Sequence, residues 1–355
     1  MNDEASMHTK GATSVQPAAQ TGVDLERVRA LIDRSLLWDN HGCMPLRWAD
    51  DAYLPRLQRY RDSGFDVAVL NIGFGDVTVE DHLRNLAQFR HWIGARPAHY
   101  RLVRTVDDIH AARAEGVLAV SFDIEGANAI GDQLSLVQLY YDLGVRWMLM
   151  AYNLANRVGG GCMEAEDGGL TAFGRSLVDE MERVGMVVCC THTGHRTATD
   201  VLSRATRPVI FSHSNARAVH DHARNIDDGL IRACAATGGV VGLNGIGFFL
   251  GGPDADLAEA FVAHVDHVVQ LVGPAHVGLG FDHVFDVDEL QGYLDENPTM
   301  FPPALHGTGF RQLSFEAVPA IVERLLGMGY SEEDIEAILG GNHMRVATEV
   351  WKSPM

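Results

Sequence analysis

The sequence predicts a (β/α)₈ barrel, because short apolar segments alternate with longer segments of helical period. The short segments are rich in β-branched residues and almost continuously apolar, which is typical of parallel strands buried on both faces. The eight predicted strands are Ser35–Asp39, Val67–Ile72, Val117–Ile124, Trp147–Tyr152, Met186–Thr191, Pro208–Ser212, Gly239–Asn244 and His276–Phe281. Eight strands that alternate with helices favour a closed barrel.

The segments between the predicted strands carry apolar residues at helical spacing. The clearest of them are Val79–Gly94, Gly174–Val184 and Asp254–Leu271. Near the C-terminus, Ser331 followed by Asp334 resembles a capping box and predicts the start of a helix. We expect that helix to end at Gly340-Gly341, because glycine commonly terminates helices.

A doubly wound open sheet is the alternative fold for this pattern. Such folds commonly carry a glycine-rich phosphate turn after the first strand, and the segment from Asp39 to Cys43 lacks that spacing. The longest segment without regular pattern is Gly292–Gly309, which follows the last predicted strand. Loops at that place often cover the substrate in barrels, so we predict a covering loop there.

Composition limits the classes of partner and the compartment. The 28 basic and 47 acidic residues give a net charge of -19, which argues against nucleic acid or an anionic membrane as partner. Residues 1–23 are predicted to be a disordered tail and residues 24–355 a single domain. The chain has five cysteines, and an odd number does not suit a disulfide framework, which indicates a reducing compartment. The sequence shows neither a signal peptide nor a membrane-spanning stretch, so we expect a cytoplasmic protein.

Polar residues with metal-binding side chains occur at the carboxyl ends of the predicted strands, which form the active face of this fold. These residues are His41, Cys43, Glu125, His192, His213 and Asp282. Imidazole, carboxylate and thiolate are ligands of zinc, and residues i and i+2 of an extended segment point the same way, so His41 and Cys43 can share one ion. Glu125 can bridge two metals, which would share a hydroxide that attacks a carbonyl, with Asp282 as general base.

The remaining histidines and cysteines have simpler interpretations. A single histidine near a strand end is usually a hydrogen-bonded structural residue, whereas three histidines and a glutamate at four strand ends form a joint pattern. His264 and His267 are predicted to lie on a helix face, and Cys189 and Cys190 to fill the barrel. The residues without a comparable pattern are His220, His222, His283, His306 and His343.

Several motifs between about Leu36 and Ala347 resemble those of the membrane (renal) dipeptidase family of zinc peptidases. They include Pro208–Arg217, His222–Asn225, Ile124–Gly126, Gly169–Thr171, Gly239–Gly242 and His276–Gly280. The resemblance implies a metal-bearing barrel that cleaves dipeptides, often with a D- or dehydro residue at the C-terminal side. It also implies a homodimer.

The resemblance also implies roles for particular residues. His41 matches a ligand of the first metal, Glu125 the bridging glutamate, and His192 and His213 the ligands of the second metal. Arg224 matches the arginine that binds the substrate carboxylate, and Asp282 the catalytic aspartate. The expected cofactor is zinc, with one or two ions per chain, and the expected substrate is a small dipeptide-like molecule.

Two positions depart from the family pattern. Cys43 stands where the family has an aspartate ligand, and Tyr152 where well-known members have a histidine that contacts the substrate and the oxyanion. A thiolate can bind zinc, and a tyrosine hydroxyl can donate a hydrogen bond to an oxyanion. Directly before His192 this chain has Cys189-Cys190-Thr191, where the family more often has Asp-Leu-Ser. We therefore expect that a carboxylate that orients a metal ligand is missing.

These departures leave three hypotheses open. The first is a zinc-dependent dipeptidase that acts through metal-bound hydroxide. The second is a metal-dependent amidohydrolase for a non-peptide amide or a modified amino acid, which the changes at Cys43 and Tyr152 motivate. The third is a non-enzymatic barrel that binds a ligand, and it ranks last because the other site residues are retained.

Overall fold

The structure, a computed structural model, describes residues 23–305 and 309–353. The predicted tail therefore lies, apart from Val23, outside the described residues, as does His306. Within the described part of the chain, no helix combines the length and apolar character needed to cross a bilayer.

Ten strands and fourteen α-helices alternate along the described chain. The strands are β1 (Trp38–Cys43), β2 (Val67–Phe74), β3 (Tyr100–Leu102), β4 (Leu118–Glu125), β5 (Val145–Leu149), β6 (Val187–Cys189), β7 (Val209–Ile210), β8 (Val241–Leu243), β9 (Val277–Leu279) and β10 (His283–Val284). The helices are α1 (Leu25–Arg34), α2 (Gln58–Asp62), α3 (Val79–Gly94), α4 (Val106–Glu115), α5 (Leu136–Asp142), α6 (Ala172–Val184), α7 (His195–Arg204), α8 (Asp228–Ala236), α9 (Gly247–Leu250), α10 (Leu257–Val272), α11 (Val287–Glu296), α12 (Val318–Gly327), α13 (Glu332–Glu336) and α14 (Asn342–Val350).

The predicted (β/α)₈ barrel is confirmed. Eight parallel strands lie in the order β7-β6-β5-β4-β2-β1-β9-β8, and a parallel bridge between Phe211 and Val241 joins the two ends. Strand β4 is buried along its whole length, because helices cover the outside of the barrel while side chains fill the inside. The short strand β3, which the sequence pattern did not predict, pairs with the beginning of β4.

The first and last barrel strands differ from their predicted bounds. Strand β1 begins at Trp38 and includes His41 and Cys43, which were predicted to follow the strand. The polar residues of β1 can be buried because they form hydrogen bonds; for example, the Tyr60 hydroxyl donates to Asp39 at 2.6 Å. The predicted eighth strand is shorter than expected: β9 ends at Leu279, and a break that contains Asp282 separates it from the unpredicted strand β10. Both strands pair with β1.

The C-terminal helical region is longer than predicted. Ser331 does cap α13, since its hydroxyl accepts from the Asp334 N–H at 3.1 Å. The predicted end at Gly340-Gly341 coincides with a kink, because Gly340 (φ 178°, ψ -19°) is not helical; the π-helical stretch that contains it (Ala337–Gly341) is followed directly by α14. A Cβ atom at Gly340 would lie 2.3 Å from the Leu36 carbonyl oxygen, so glycine here permits close packing of the chain and leaves the helix kinked.

The predicted covering loop is partly helical. Helix α11 extends to Glu296, inside the region 292–309 for which no regular structure was predicted. No residue of α11 is fully buried, and its apolar residues Leu290, Tyr293 and Leu294 line a cavity at the carboxyl end of the barrel. The described part of this region therefore lines the barrel mouth, as expected of the segment after the last strand.

The strand ends near the site approach one another closely at Gly280. A Cβ atom at this position would lie 2.0 Å from the Ser212 carbonyl oxygen, and one at Gly242 would lie 2.2 Å from the same oxygen. Because a backbone oxygen cannot move aside cheaply, the break before Asp282 and the segment that carries His213 fit together only with glycine at both positions.

We predict that Gly280→Ala destabilises the fold. Overpacking costs about 1–3 kcal/mol, so the free energy of unfolding in urea should fall by at least about 1 kcal/mol. Gly292→Ala is the matched control, because a Cβ atom there, on the outer side of α11, meets nothing within 4 Å. The control should not lose stability; equal stability of the two variants would contradict the close approach.

Candidate active site

The residues predicted to carry chemistry meet at the carboxyl end of the barrel. His41 lies in β1 and Glu125 is the last residue of β4, while His192, His213 and Asp282 follow β6, β7 and β9. All five are buried, with His41 and His213 fully inaccessible. The imidazoles of these two histidines stack with their ring centres 4.0 Å apart.

Neighbouring oxygen atoms orient two of the imidazoles. His192 Nδ1 lies 2.6 Å from Asn153 Oδ1, and the Asn153 amide nitrogen donates to the Met300 carbonyl, so Oδ1 is the acceptor for His192. His213 Nδ1 lies 2.9 Å from the Ser212 hydroxyl. Donation through Nδ1–H leaves Nε2 unprotonated in each ring, which is the arrangement that metal-binding histidines usually have; at His192 this nitrogen accepts from Arg224 Nη2 at 3.0 Å.

The third imidazole is oriented by a buried carboxylate. His41 Nδ1 lies 3.1 Å from Asp123 Oδ2, and the Asn71 side chain donates to the other oxygen of Asp123 at 2.9 Å. Asp123 is fully buried in β4, two residues before Glu125, so both side chains point into the barrel. The Asp123 carboxylate therefore orients His41, whereas His192, which follows Cys189-Cys190-Thr191, is oriented by the Asn153 amide oxygen.

The three Nε2 atoms surround the Glu125 carboxylate. Its Oε1 lies 3.2 Å from His192 Nε2 and 3.1 Å from His213 Nε2, and its Oε2 lies 3.6 Å from His41 Nε2. Buried Oε1 nevertheless makes no hydrogen bond within the described residues. Because lone pairs of nitrogen and oxygen face one another here, the residues fit a divalent cation among them.

The pKa values agree with this interpretation. Burial raises the pKa of Glu125 to about 8, although His41 partly opposes the shift. Burial and the nearby Arg224 lower the pKa of His192 well below its usual range. Burial and His41 lower the pKa of His213 in the same way. Both rings are therefore neutral, as metal ligands must be. Burial lowers the pKa of His41, but Asp123 and Glu125 outweigh it and raise that pKa, so without a metal this ring is protonated and a cation at Nε2 would have to replace that proton.

Two overlapping groups of side chains are compact enough to hold an ion. They are His41, His213 and Asp282, and Glu125, His192 and His213. Within each group the ligand atoms all lie within 4.8 Å of one another. His213 belongs to both groups, but only its Nε2 is free to bind a metal, so it can serve one ion at a time and a second ion would have to be held by the other residues.

Cys43 belongs to neither group, although it contacts the first one. Its Sγ donates to Asp282 Oδ1 at 3.2 Å and lies 3.4 Å from His41 Nε2. Burial, reinforced by Asp282, raises the pKa of the Cys43 thiol well above its usual value. That Cys43 is a metal ligand therefore stays a prediction.

Backbone strain is concentrated at this site. Among the described residues, the non-glycine residues with positive φ are Asn153 (55°), His192 (61°) and Asp282 (56°). This conformation costs roughly 1–2 kcal/mol for an L-residue, less for Asn and Asp. The surrounding fold holds these three residues in strained conformations that direct their side chains to one point.

A largely apolar cavity of about 320 Å³ opens above the imidazoles. Arg224 and Tyr152 both line it. Arg224 is buried, with its Nη2 3.0 Å from His192 Nε2 and its guanidinium 5.2 Å from the Phe249 ring centre. The Tyr152 ring stacks on His192 at 4.1 Å, and burial together with Glu125 raises the pKa of its hydroxyl well above the usual value.

Four residues that orient the site were missed by the sequence analysis: Asp123, Asn153, Ser212 and Asn244. Asn244 Nδ2 donates to Asp282 Oδ2 at 2.8 Å. Asp123 could have been found from its place two residues before Glu125 in an apolar strand, where an unpaired aspartate is unexpected. Asn153, Ser212 and Asn244 follow strands β5, β7 and β8 and carry no comparable signal, because Asn and Ser are common in loops.

We predict that Asp123→Asn weakens metal binding about 10- to 100-fold, because the amide no longer draws the proton of His41 onto Nδ1. Competition with a chromophoric chelator measures the zinc dissociation constants. The control is Asp132→Asn, at an exposed position. Unchanged zinc affinity in folded Asp123→Asn protein would show that His41 needs no orienting carboxylate.

Comparisons with known proteins agree on one family. A family model described as membrane dipeptidase, Peptidase family M19, matches residues 7–294. An uncharacterized dipeptidase of Schizosaccharomyces pombe is 31% identical over 284 residues, which cover 77% of this chain and 62% of that protein. Dipeptidase aclJ of Aspergillus oryzae is 32% identical over 253 residues, 69% of this chain and 55% of that protein. The match thus spans less than two thirds of either relative.

A solved structure supports the same assignment. An amidohydrolase from Pseudomonas aeruginosa superimposes with a TM-score of 0.82 at 25% sequence identity. The superposition covers 91% of this chain and 99% of that structure. The resemblance found in the sequence motifs is confirmed, and the chain belongs to the membrane dipeptidase family, Peptidase family M19.

Proposed function

We propose that the chain is a zinc-dependent dipeptidase. The observation that carries this proposal is the arrangement of three Nε2 atoms around Glu125 at the base of a cavity whose wall carries the buried Arg224. Family membership and the dipeptidase names of the two relatives support it. A catalytic centre and a carboxylate-binding arginine in one small cavity suit a short substrate with a free carboxyl end.

One or two zinc ions are proposed, held by His41, Cys43, Glu125, His192 and His213, with Glu125 shared if two bind. When bound, a divalent metal polarises the scissile carbonyl and lowers the pKa of water. The protein contributes two neutral imidazoles, those of His192 and His213, whose Nε2 atoms already face Glu125.

Asp282 is proposed as the group that moves the proton. Its Oδ2 accepts from Asn244 and its Oδ1 lies 3.5 Å from His41 Nε2, so the carboxylate is held at the centre. In this position Asp282 can accept a proton from the attacking water and return it to the leaving amine.

Tyr152 and Arg224 are proposed to bind the substrate. The raised pKa of Tyr152 keeps its hydroxyl protonated, so it can donate to the oxyanion that develops on the carbonyl. The Arg224 guanidinium can bind a free carboxylate through two N–H groups. Because Arg224 lies beside His192, the carboxylate must belong to the residue next to the scissile bond, which suits a dipeptide and not an internal peptide bond.

A metal-dependent amidohydrolase for a non-peptide amide or modified amino acid is the second candidate. Tyr152 in place of the family histidine favours it, as does the mainly apolar lining of the cavity. The likeness to the Pseudomonas aeruginosa amidohydrolase is compatible with it. The homodimer and the cytoplasmic location remain predictions.

The proposal is tested with zinc-loaded protein and three sets of substrates: dipeptides, the same dipeptides with an amidated C-terminus, and N-acyl amino acids. We expect turnover of dipeptides, loss of turnover after chelation, and weak activity on the amidated forms. Turnover of N-acyl amino acids without turnover of any dipeptide would favour the second candidate instead.

Arg224→Lys in the same assay isolates the carboxylate contact. Lysine keeps the charge but not the bidentate geometry, so kcat/KM for dipeptides should fall by at least about tenfold. The amidated dipeptides should lose much less, since they offer no carboxylate. Arg217→Lys, at an exposed position in the same loop, is the control. Equal losses on both substrate sets would contradict the proposed role of Arg224.

Metal analysis tests the ligand role of Cys43. We predict about two zinc ions per chain in the wild type and about one in Cys43→Ala, because a thiolate ligand is lost. Cys162→Ala, which removes another partly buried cysteine, should keep the wild-type content. An unchanged zinc content in Cys43→Ala would exclude Cys43 as a ligand.

A further inference from the structure

The cavity has two different walls, and the topology places them opposite each other. One wall is an aromatic cluster of Phe74, Tyr152, Tyr293 and Phe301. Its ring centres are 5.4 Å apart for Phe74 and Tyr152, 4.9 Å for Phe74 and Tyr293, 5.7 Å for Tyr293 and Phe301, and 6.1 Å for Tyr152 and Phe301. The four contacts form a closed ring, and all four residues line the cavity.

The aromatic cluster lies on the β4 side of the barrel. Phe74 ends β2 and Tyr152 follows β5, and β4 is the strand between those two. Tyr293 in α11 and Phe301 beyond it come from the segment after the last strand, but their ring contacts place them against Phe74 and Tyr152.

The other wall carries the carboxylate-binding residue. Arg224 follows β7 and packs on Phe249, which follows β8 in α9. In the closed strand order, β8 is four strands away from β4 in both directions. The strand that leads to Phe249 is therefore opposite β4, and His192 lies between the two walls: its Nε2 is 3.0 Å from Arg224 Nη2, and its ring centre is 4.1 Å from that of Tyr152.

This arrangement fixes the direction of a bound dipeptide. If Arg224 holds the carboxylate of the second residue and the scissile carbonyl lies at the centre, the first residue must extend toward the opposite wall. We propose that the aromatic cluster is the subsite for the side chain of this first residue, and that the enzyme prefers dipeptides with an aromatic or large apolar N-terminal residue.

The chemistry of the cluster supports that preference. Aromatic rings at these distances stack with, or pack edge-to-face against, a further ring, and they bury apolar area. No member of the cluster is charged, and the nearby charged residues of the lining, Asp286 and Glu289, are acidic, so a negatively charged N-terminal side chain would lose its hydration without gaining a partner. The inference rests on the proposed dipeptidase activity and extends it to the substrate class.

The first test compares Phe-Ala, Ala-Phe, Ala-Ala and Asp-Ala with zinc-loaded full-length protein. We expect kcat/KM for Phe-Ala to exceed that for Ala-Ala by at least about tenfold, a size typical of apolar side-chain selection. Ala-Phe should gain less than Phe-Ala, and Asp-Ala should be the poorest. Similar kcat/KM values for Phe-Ala and Ala-Ala, or a larger gain for Ala-Phe, would overturn the proposed subsite but not the proposed dipeptidase activity. If no dipeptide is turned over, the proposed dipeptidase activity itself is overturned.

The second test locates the subsite with variants. Phe301→Ala should lower the ratio of kcat/KM for Phe-Ala to that for Ala-Ala by at least about fivefold, and Phe301→Leu should restore part of it. Phe310→Ala is the matched control, because Phe310 also lines the cavity but packs on Phe248, with ring centres 5.9 Å apart. If the ratio survives in Phe301→Ala and Phe301→Leu, or falls equally in Phe310→Ala, the cluster is not the subsite.

Discussion

The site depends on one electrostatic constraint: buried carboxylates and imidazoles converge with their lone pairs facing one another. Glu125 Oε1 lies within 3.2 Å of two imidazole nitrogens and makes no hydrogen bond to any residue that the structure describes, and Asp282 Oδ1 lies 3.5 Å from His41 Nε2. Without a cation, burial of so many acceptors is costly, and the raised pKa of Glu125 expresses that cost. The same geometry is what a metal-dependent hydrolase requires.

The barrel can maintain this arrangement because its rigid parts hold the oxygen atoms that orient the imidazoles. Asp123 reaches His41 from β4, Ser212 lies beside His213 after β7, and Asn153 reaches His192 after β5. The positive φ angles of Asn153, His192 and Asp282 are tolerated in this setting. The close approach at Gly280 then keeps the break before Asp282 tight against the neighbouring segment.

The cavity combines this polar base with walls of different chemistry. Arg224 provides one buried cation beside the centre, and most of the remaining lining is apolar or aromatic. A small substrate can therefore be oriented by its carboxylate at one side and by an apolar group at the other. The helix α11 completes the apolar side, although none of its own residues is fully buried, so the cavity depends on a comparatively loosely packed segment.

The sequence alone determined the barrel, the family, and the positions of His41, Glu125, His192, His213, Asp282 and Arg224. The alternation of strands and helices and the residues at the strand ends are local features of the sequence. They predict the fold and the site even where a strand bound is displaced by a few residues, as for β1. Only the tertiary structure placed Asp123 against His41, Cys43 outside both groups of ligand atoms, and Phe301 beside Tyr152. These contacts are between residues of different strands and loops. Which of these residues meet depends on the strand order and on the closure of the barrel, and no local sequence pattern encodes either.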